Sequence, residues 1–421
     1  MIKIDVYKGG GADVFVRSTQ EDPQITASVA AIVADVAKRG DEAVREYSLK
    51  FDGCAPEDFL VSEREWEEGA AQCDPYLLEV MKEAGANIAD FHKRQIPQGF
   101  ETEKEDGVIL GQKVTPLERV GIYVPGGTAA YPSTVLMNAV PAKIAGVSEV
   151  IMVTPAKEGK IKPEILAAAK IAGVTRIYKM GGAQAIAALA YGTQSVPAVD
   201  KITGPGNVYV ATAKKLVFGK VDIDMIAGPS EILVLADGSA SSVRVAADML
   251  SQAEHDVMAS AVLVTDSPRL AEETAAQLEE QIPALWRKDI ARRSVDERGR
   301  IILTRDMQEA VEIANALAPE HLEIYTKDPF EVLPLIKNAG SIFLGGYTPE
   351  PVGDYFAGPN HTLPTSGTAR FSSPLSGADF VKRSSYIHYT EAALKKAADK
   401  IEAFALSEGL QAHANAIKVR R

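Results

Sequence analysis

Apolar residues in the first hundred positions recur at helical spacing. From Asp22 to Lys38, Val29, Ile32, Val33 and Val36 fall on one face, and Arg39-Gly40 supplies a stop before a second helical stretch from Asp41. The charged segment ETEKEDG (101–107) then reads as an exposed turn. Beyond it the texture changes to short apolar runs separated by helices. GIYV (121–124), VIMVT (150–154), RIYKM (176–180) and KIT (201–203) alternate with helical stretches at 162–172 and 182–191, the pattern of βαβ units around a parallel sheet. A second series opens with EILVLAD (231–237) and continues through a helix at 240–255, AVLVT (261–265) and a long helix from Ser267. It closes with LEIYT (322–326), a helix near 329–338 and SIFLG (341–345). Finally, Thr390 caps an amphipathic helix with Leu394, Ile401 and Phe404 on one side, and Ser407-Glu408-Gly409 breaks it before a last helical piece. The pattern predicts an α/β protein with two such units.

Composition narrows this picture. A chain of 421 residues is long enough for two or three packed units, and 46% hydrophobic with 24% charged residues excludes a disordered chain, a collagen-like fibre or a disulfide scaffold. The 57 acidic against 45 basic residues leave a formal charge of −12, which repels nucleic acid and anionic membrane surfaces. No basic region leads into an apolar one at the start, and every later apolar stretch is interrupted by charge, so the expected location is cytoplasmic. Cys54 and Cys73 sit in polar, turn-like contexts away from any His-bearing motif. In a reducing compartment they are expected to be plain thiols.

Gly and Pro concentrate in YVPGGTAAYPST (123–134), GGAQA (181–185), TGPGN (203–207), AGPSE (227–231) and the long stretch 343–367. Loops outside the carboxyl ends of strands form the ligand crevice of open α/β sheets, and Gly lets backbone N–H groups approach a phosphate. A nucleotide fits this pattern as well as plain turn chemistry does, because none of these loops completes G-x-G-x-x-G. Gln252 and His255 lie i, i+3 on a predicted helix and can offer an amide oxygen and an imidazole nitrogen to one cation. Asp354, His361 and His413 could complete a four-ligand shell, though each is equally explicable as a surface or turn residue. Glu320-His321 stands immediately before a strand, an acid-base pair or a helix-end His beside a surface Glu. His92 and His388 have no evident partner and read as structural.

Taken in order, GIYVPGG, STVLMNAVPAKIAGV, GGAQAIAALAYGT, DKITGPGNVYVA, IDMIAGPSEILV, SQAEHD, APEHLEI, VGDY, NHTLPTSG, ADFVKR and SEGLQAHANA closely resemble the histidinol dehydrogenase family. The resemblance spans nearly the whole chain and is sparsest over the first hundred residues. It implies one Zn2+ per subunit on Gln252, His255, Asp354 and His413, and Glu320 and His321 as the catalytic pair. It implies substrate contacts at Ser133, Ser230, His321, Glu408 and the zinc ligands, and NAD held by Tyr123, Gln184 and Asn207. The implied reaction oxidises L-histidinol through L-histidinal to L-histidine with two NAD+.

The fold implied is two incomplete Rossmann-like domains with two small helical or tail domains, in a homodimer with shared active sites. Residues 24–123 and 230–375 would form the large domain and 124–229 an inserted one. Residues 1–23 with 376–401 would form a dimerisation domain, and 402–421 a tail reaching the partner. Three rivals frame this expectation. An aldehyde dehydrogenase working through a cysteine thiohemiacetal is disfavoured because neither Cys54 nor Cys73 sits beside a base. A relative oxidising another polar alcohol, such as a sulfonated diol, is disfavoured by Glu408 with Ser230. A metal-dependent hydrolase could use the same His, Asp and Glu residues.

Overall fold

The computed structural model describes residues 2–9, 22–126 and 131–421. The chain divides into two compact units, Met1–Gln95 with Glu118–Phe380, and Ile96–Leu117 with Val381–Arg421. In chain order the first strands are β1 (Lys3–Val6), β2 (Phe100–Lys104), β3 (Val108–Pro116), β4 (Arg119–Tyr123) and β5 (Glu149–Thr154). Next come β6 (Arg176–Lys179), β7 (Lys201–Thr203), β8 (Asp222–Ile223), β9 (Glu231–Ala236) and β10 (Ser260–Thr265). The last are β11 (Arg300–Leu303), β12 (His321–Tyr325), β13 (Ser341–Leu344) and β14 (Val381–His388).

Within the first unit the two expected α/β series form two parallel sheets, ordered β6-β5-β4-β7-β8 and β1-β11-β10-β9-β12-β13. The N-terminal segment is helical, as its periodicity predicts, over Pro23–Arg39, Asp41–Asp52, Glu63–Ala70 and Pro75–Lys93. Asp22 caps the first of these by accepting from the Gln24 N–H, and Gly40 at φ 62° ends it. Its buried residues are the expected Val29, Ile32, Val33 and Val36, which join Ile186 and Leu189 in the core of the first sheet. The helix Gly182–Tyr191 buries eight consecutive residues, Ala183 through Ala190, which a helix can do only when it is covered all round. Truncating Leu189 to Ala there should cost about 2–5 kcal/mol.

Strand β4 is the central strand of the first sheet, and the helices Pro23–Arg39 and Asp41–Asp52 add their buried apolar residues to its core. Likewise β1 extends the second sheet by pairing with β11, because its chain is extended and parallel to that edge.

Two local expectations are corrected. The helix near 329–338 is a single α-turn, Pro329–Val332, followed by a 3-10 turn, because Pro334 lacks the N–H that would continue it. The ETEKEDG segment contains strand β2, paired antiparallel with β3, and only Glu105–Gly107 forms the turn, with Asp106 and Gly107 at φ 65° and 72°. Every residue of β2 is exposed, so no apolar alternation marks it.

In the second unit, β14, β3 and β2 form a three-stranded antiparallel sheet. The Thr390 hydroxyl accepts from the Ala393 N–H and donates to the Asp106 carbonyl, tying the helix Glu391–Ser407 to the β2–β3 turn. Its buried positions are Ala393 and Ala398, while Ile401 and Phe404 of the expected apolar side are 37% and 70% exposed. Gly409, at φ 75°, separates it from the helix Gln411–Lys418. Among the described residues no helix is long and apolar enough to cross a membrane.

Candidate active site

A cavity of about 280 Å³ in the first unit takes its walls from both sheets. From the first sheet come Pro125, Gly204–Asn207 and Met225, each beyond the carboxyl end of a strand. The second sheet supplies Ser230 and Glu320-His321 at the amino ends of β9 and β12. Local backbone forces explain the latter placement. The helix Met307–Leu317 ends on Ala318 in the left-handed region at φ 46°, Pro319 cannot continue it, and the chain enters β12 at His321. Gly340 lies so close that a Cβ there would stand 2.5 Å from the Glu320 carbonyl oxygen.

Residues 321, 323 and 325 share one face of β12 by strand alternation. The chain beyond β13 runs back along that face: Gly346 packs against Tyr325, the Glu350 N–H donates to Glu323 Oε1 (2.7 Å), and Asp354 Oδ1 lies 3.6 Å from His321 Nε2. His321 is thereby enclosed by carboxylates. Its Nδ1 is 3.0 Å from the Glu231 carbonyl and 2.8 Å from the Gln252 amide nitrogen, while Nε2 has no hydrogen-bond partner. In the neutral ring, a proton on Nδ1 donated to Glu231 leaves the Nε2 lone pair for a ligand. Burial alone would lower the His321 pKa, but Glu320, Asp354 and Glu350 outweigh it and raise it to about 10.

Glu320 is fully buried, and burial pushes its carboxyl up to about 7, against the pull of His321 and of the Glu231 N–H that donates to Oε2 at 2.8 Å. That value places it among groups able to exchange protons near neutrality. Asp354 is held well below the ordinary carboxylate range, because His321 and His361 overcome the cost of its burial. The His255 imidazole is lowered chiefly by burial, which favours the neutral, ligating form.

The cavity brings together Ser133, Asn207, Ser230, Gln252, His255, Glu320, His321 and Asp354 of the expected site. Tyr123 and Gln184 do not line it. Tyr123 is buried with its hydroxyl accepting from the Gly182 N–H (3.1 Å), and Gln184 is fully buried with both amide atoms unpartnered. Asn207 caps the helix Val208–Val217 by accepting from the Tyr209 and Val210 N–H groups. Glu408 and His413 belong to the second unit, where both are exposed, one at the end of the helix Glu391–Ser407 and the other on the last helix. Residues 127–130 of the YVPGG loop lie outside the described residues. Cys54 and Cys73 are free thiols and do not line the cavity.

The donor chemistry fits a borderline cation. An amide oxygen, a neutral imidazole and a carboxylate share one wall, joined there by His361, which was weighed as a ligand from its place in the Gly/Pro loop. Among the described residues, ligand atoms of His321, Glu350 and Asp354 also lie within 4.8 Å of one another. The unpartnered Gln184 amide and the glycine loop beside Asn207 likewise fit a polar cofactor. Sequence reasoning missed Glu350, Glu323 and Asp248, whose carboxyls are all raised by burial, and the buried pair Lys214–Asp224. No spacing in the sequence marks Glu350, because its place beside Glu323 is set by the return of the chain along β12.

The profile of the histidinol dehydrogenase family matches residues 15–421. Histidinol dehydrogenase of Geobacillus kaustophilus (strain HTA426) is 54% identical over 422 residues, spanning 100% of this chain and 99% of that protein. The histidinol dehydrogenase of Bacillus subtilis (strain 168) is 56% identical over 394 residues, spanning 93% and 92%. The crystal structure of histidinol dehydrogenase from Elizabethkingia anophelis superposes with a TM-score of 0.95 at 36% identity, covering 100% of this chain and 98% of that one.

Proposed function

The chain belongs to the histidinol dehydrogenase family, and from that membership we propose that it oxidises L-histidinol through L-histidinal to L-histidine with two NAD+ and one zinc ion. The observation that carries this is the single cavity that Glu320-His321 shares with Gln252, His255 and Asp354. These three, with His413, would hold the zinc, which supplies a template for the amine and imidazole nitrogens of the substrate. NAD, held by Tyr123, Gln184 and Asn207, supplies the hydride acceptor in both oxidations.

The chain's own groups handle protons and position. His321 must first give up the second proton that the surrounding carboxylates favour on it; its neutral Nε2, without a protein hydrogen bond, then takes the hydroxyl proton of the alcohol and later that of the hydrated aldehyde. Glu320, poised near neutrality, draws a proton from the water that adds to the aldehyde carbon. Ser133 and Ser230 line the same cavity and would hold the substrate's polar edge. Glu408 would recognise the imidazole. In this reading Glu408 and His413 come from a partner subunit. Exposed Ile387, Phe404 and Leu406, at 71%, 70% and 55%, support an association surface on the second unit. The work is that of a cytoplasmic biosynthetic enzyme.

A coupled measurement tests the proposal, with zinc per chain by elemental analysis beside NADH formed per histidinol consumed. Two NADH and one zinc are expected. One NADH with accumulating aldehyde, or hydrolysis without NADH, would overturn it. Cys54→Ser/Cys73→Ser should keep full activity, since a thioester route would lose it.

A further inference from the structure

The helix Val208–Val217 buries Val210, Ala213, Lys214 and Val217, the i, i+3, i+4, i+7 stripe of an amphipathic helix with a lysine where an apolar residue belongs. Lys214 pairs with Asp224, and the two side chains are only 2% and 1% exposed. Both converge on one residue of the glycine loop, from the peptide units on either side of it. Lys214 Nζ donates to the Gly204 carbonyl at 2.9 Å, and Asp224 Oδ2 accepts from the Gly204 N–H at 2.8 Å. Asp224 Oδ1 also accepts from the Met225 N–H at 2.6 Å, on the loop leading to Ser230. Gly204 itself has φ 112° and crosses Tyr123 so closely that a Cβ would lie 2.2 Å from the Tyr123 carbonyl oxygen. All three residues line the cavity.

Stability alone is a poor reason for this arrangement. Desolvating two charges costs about as much as their attraction returns, and apolar replacements of such pairs are often neutral or better. What the pair does achieve is directional. Gly204, Pro205 and Gly206 have no polar side chain to hold their peptide planes, and charged groups from two different elements hold the two planes that flank Gly204, through its carbonyl and its N–H. The next residue with a polar side chain is Asn207. Resting on the cofactor assignment above, we infer that Lys214 and Asp224 are positioning residues that hold the Gly204–Asn207 loop in the shape that receives the dinucleotide.

The test replaces both charges, as Lys214→Met/Asp224→Leu in the full-length, zinc-loaded protein, so that neither is left buried alone. NADH affinity is measured by fluorescence titration, beside KM for NAD, KM for histidinol, kcat, zinc content and melting temperature. A loosened loop must be ordered at the moment of binding, so NADH Kd and KM for NAD should rise about tenfold or more while zinc content and KM for histidinol stay within about threefold. A folded variant with unchanged NADH affinity overturns the inference, and so does an equal loss of zinc and histidinol affinity, which marks general distortion. Should that variant fail to fold, Lys214→Met/Asp224→Asn keeps an acceptor for the Gly204 N–H while leaving no charge buried alone, and a rise of about threefold in NADH Kd is expected from it. No change there is equally fatal. Wild-type protein that binds no NADH removes the cofactor assignment itself, an outcome distinct from wild-type binding that the variants leave untouched.

Discussion

The two sheets of the first unit meet the cavity from opposite ends. The first offers it the carboxyl ends of β4, β7 and β8, in the usual manner of open α/β sheets, while the second offers the amino ends of β9 and β12. Their contributions differ accordingly. The first sheet brings a glycine loop, held by the buried pair Lys214–Asp224 and set on an alanine-rich core, whereas the second brings Glu320 and His321 themselves, with Glu231, Glu323 and Glu350 buried outside the lining. Loops beyond carboxyl ends suit a polar ligand held by backbone, while a strand entrance fixes side chains by the strand's own register. Under the proposed function cofactor recognition would fall to the first sheet and chemistry to the second, and mutations in the two should fail differently.

The sharpest contrast is His321→Asn. It should lower kcat about a thousandfold or more for both histidinol and histidinal, with the fold intact by melting temperature, since it removes the proposed base for both oxidations. Residual turnover above a hundredth of wild type would move the base elsewhere. Glu320→Gln comes next. Single-turnover rates should fall about a hundredfold for aldehyde oxidation and far less for alcohol oxidation, and equal losses would merge the two proposed roles.

Much of this architecture is legible in the sequence. The stripe Val29, Ile32, Val33, Val36 is buried as its spacing requires, and KIT is a strand over the residues expected. Glu320-His321 stands at a strand entrance because Pro319 breaks the preceding helix, a signal carried by three adjacent residues. What stayed hidden depends on pairings between distant segments. Strand β2 is FETEK, polar and exposed throughout, and it is a strand only because β3 hydrogen-bonds to it. Lys214 and Asp224 look like ordinary surface residues until the chain from β7 through its helix to β8 brings them to one glycine.

Glu350 belongs to that hidden class and predicts a smaller effect. Burial and the nearby Asp354 charge raise its carboxyl to about 8, the two carboxyls share a hydrogen bond, and Ser251 Oγ donates to Glu350 Oε2 at 3.2 Å. A residue that orients a ligating carboxylate is worth about 10–100-fold in metal affinity. Glu350→Ala should therefore lose zinc to a chelator about tenfold more readily, while Glu350→Gln, which keeps a donor for Asp354, should retain it. Equal retention in both would reduce Glu350 to packing.

The smallest effect lies on the helix Pro75–Lys93, outside the second sheet, and concerns stability alone. Burial pushes the His92 imidazole down to about 4, only partly opposed by Gln95 and Asp379, and the Phe91 ring stands edge-on at 5.6 Å. The unfolded chain, with an ordinary histidine near 6.5, binds the proton more readily than the folded one. Between those two values the unfolded state carries more protons, so stability falls as pH drops from about 6.5 towards 4 and levels off below. The linkage over that window is on the order of 2–3 kcal/mol. His92→Gln removes the titrating group, so the difference in unfolding free energy between wild type and variant should slope across pH 6.5 to 4 and be flat above 7. The carboxylates common to both proteins cancel in that difference. Parallel curves over the whole range would mean that His92 is protonated in the fold as readily as in the unfolded chain, and that burial on this side of the molecule leaves its one buried imidazole unperturbed.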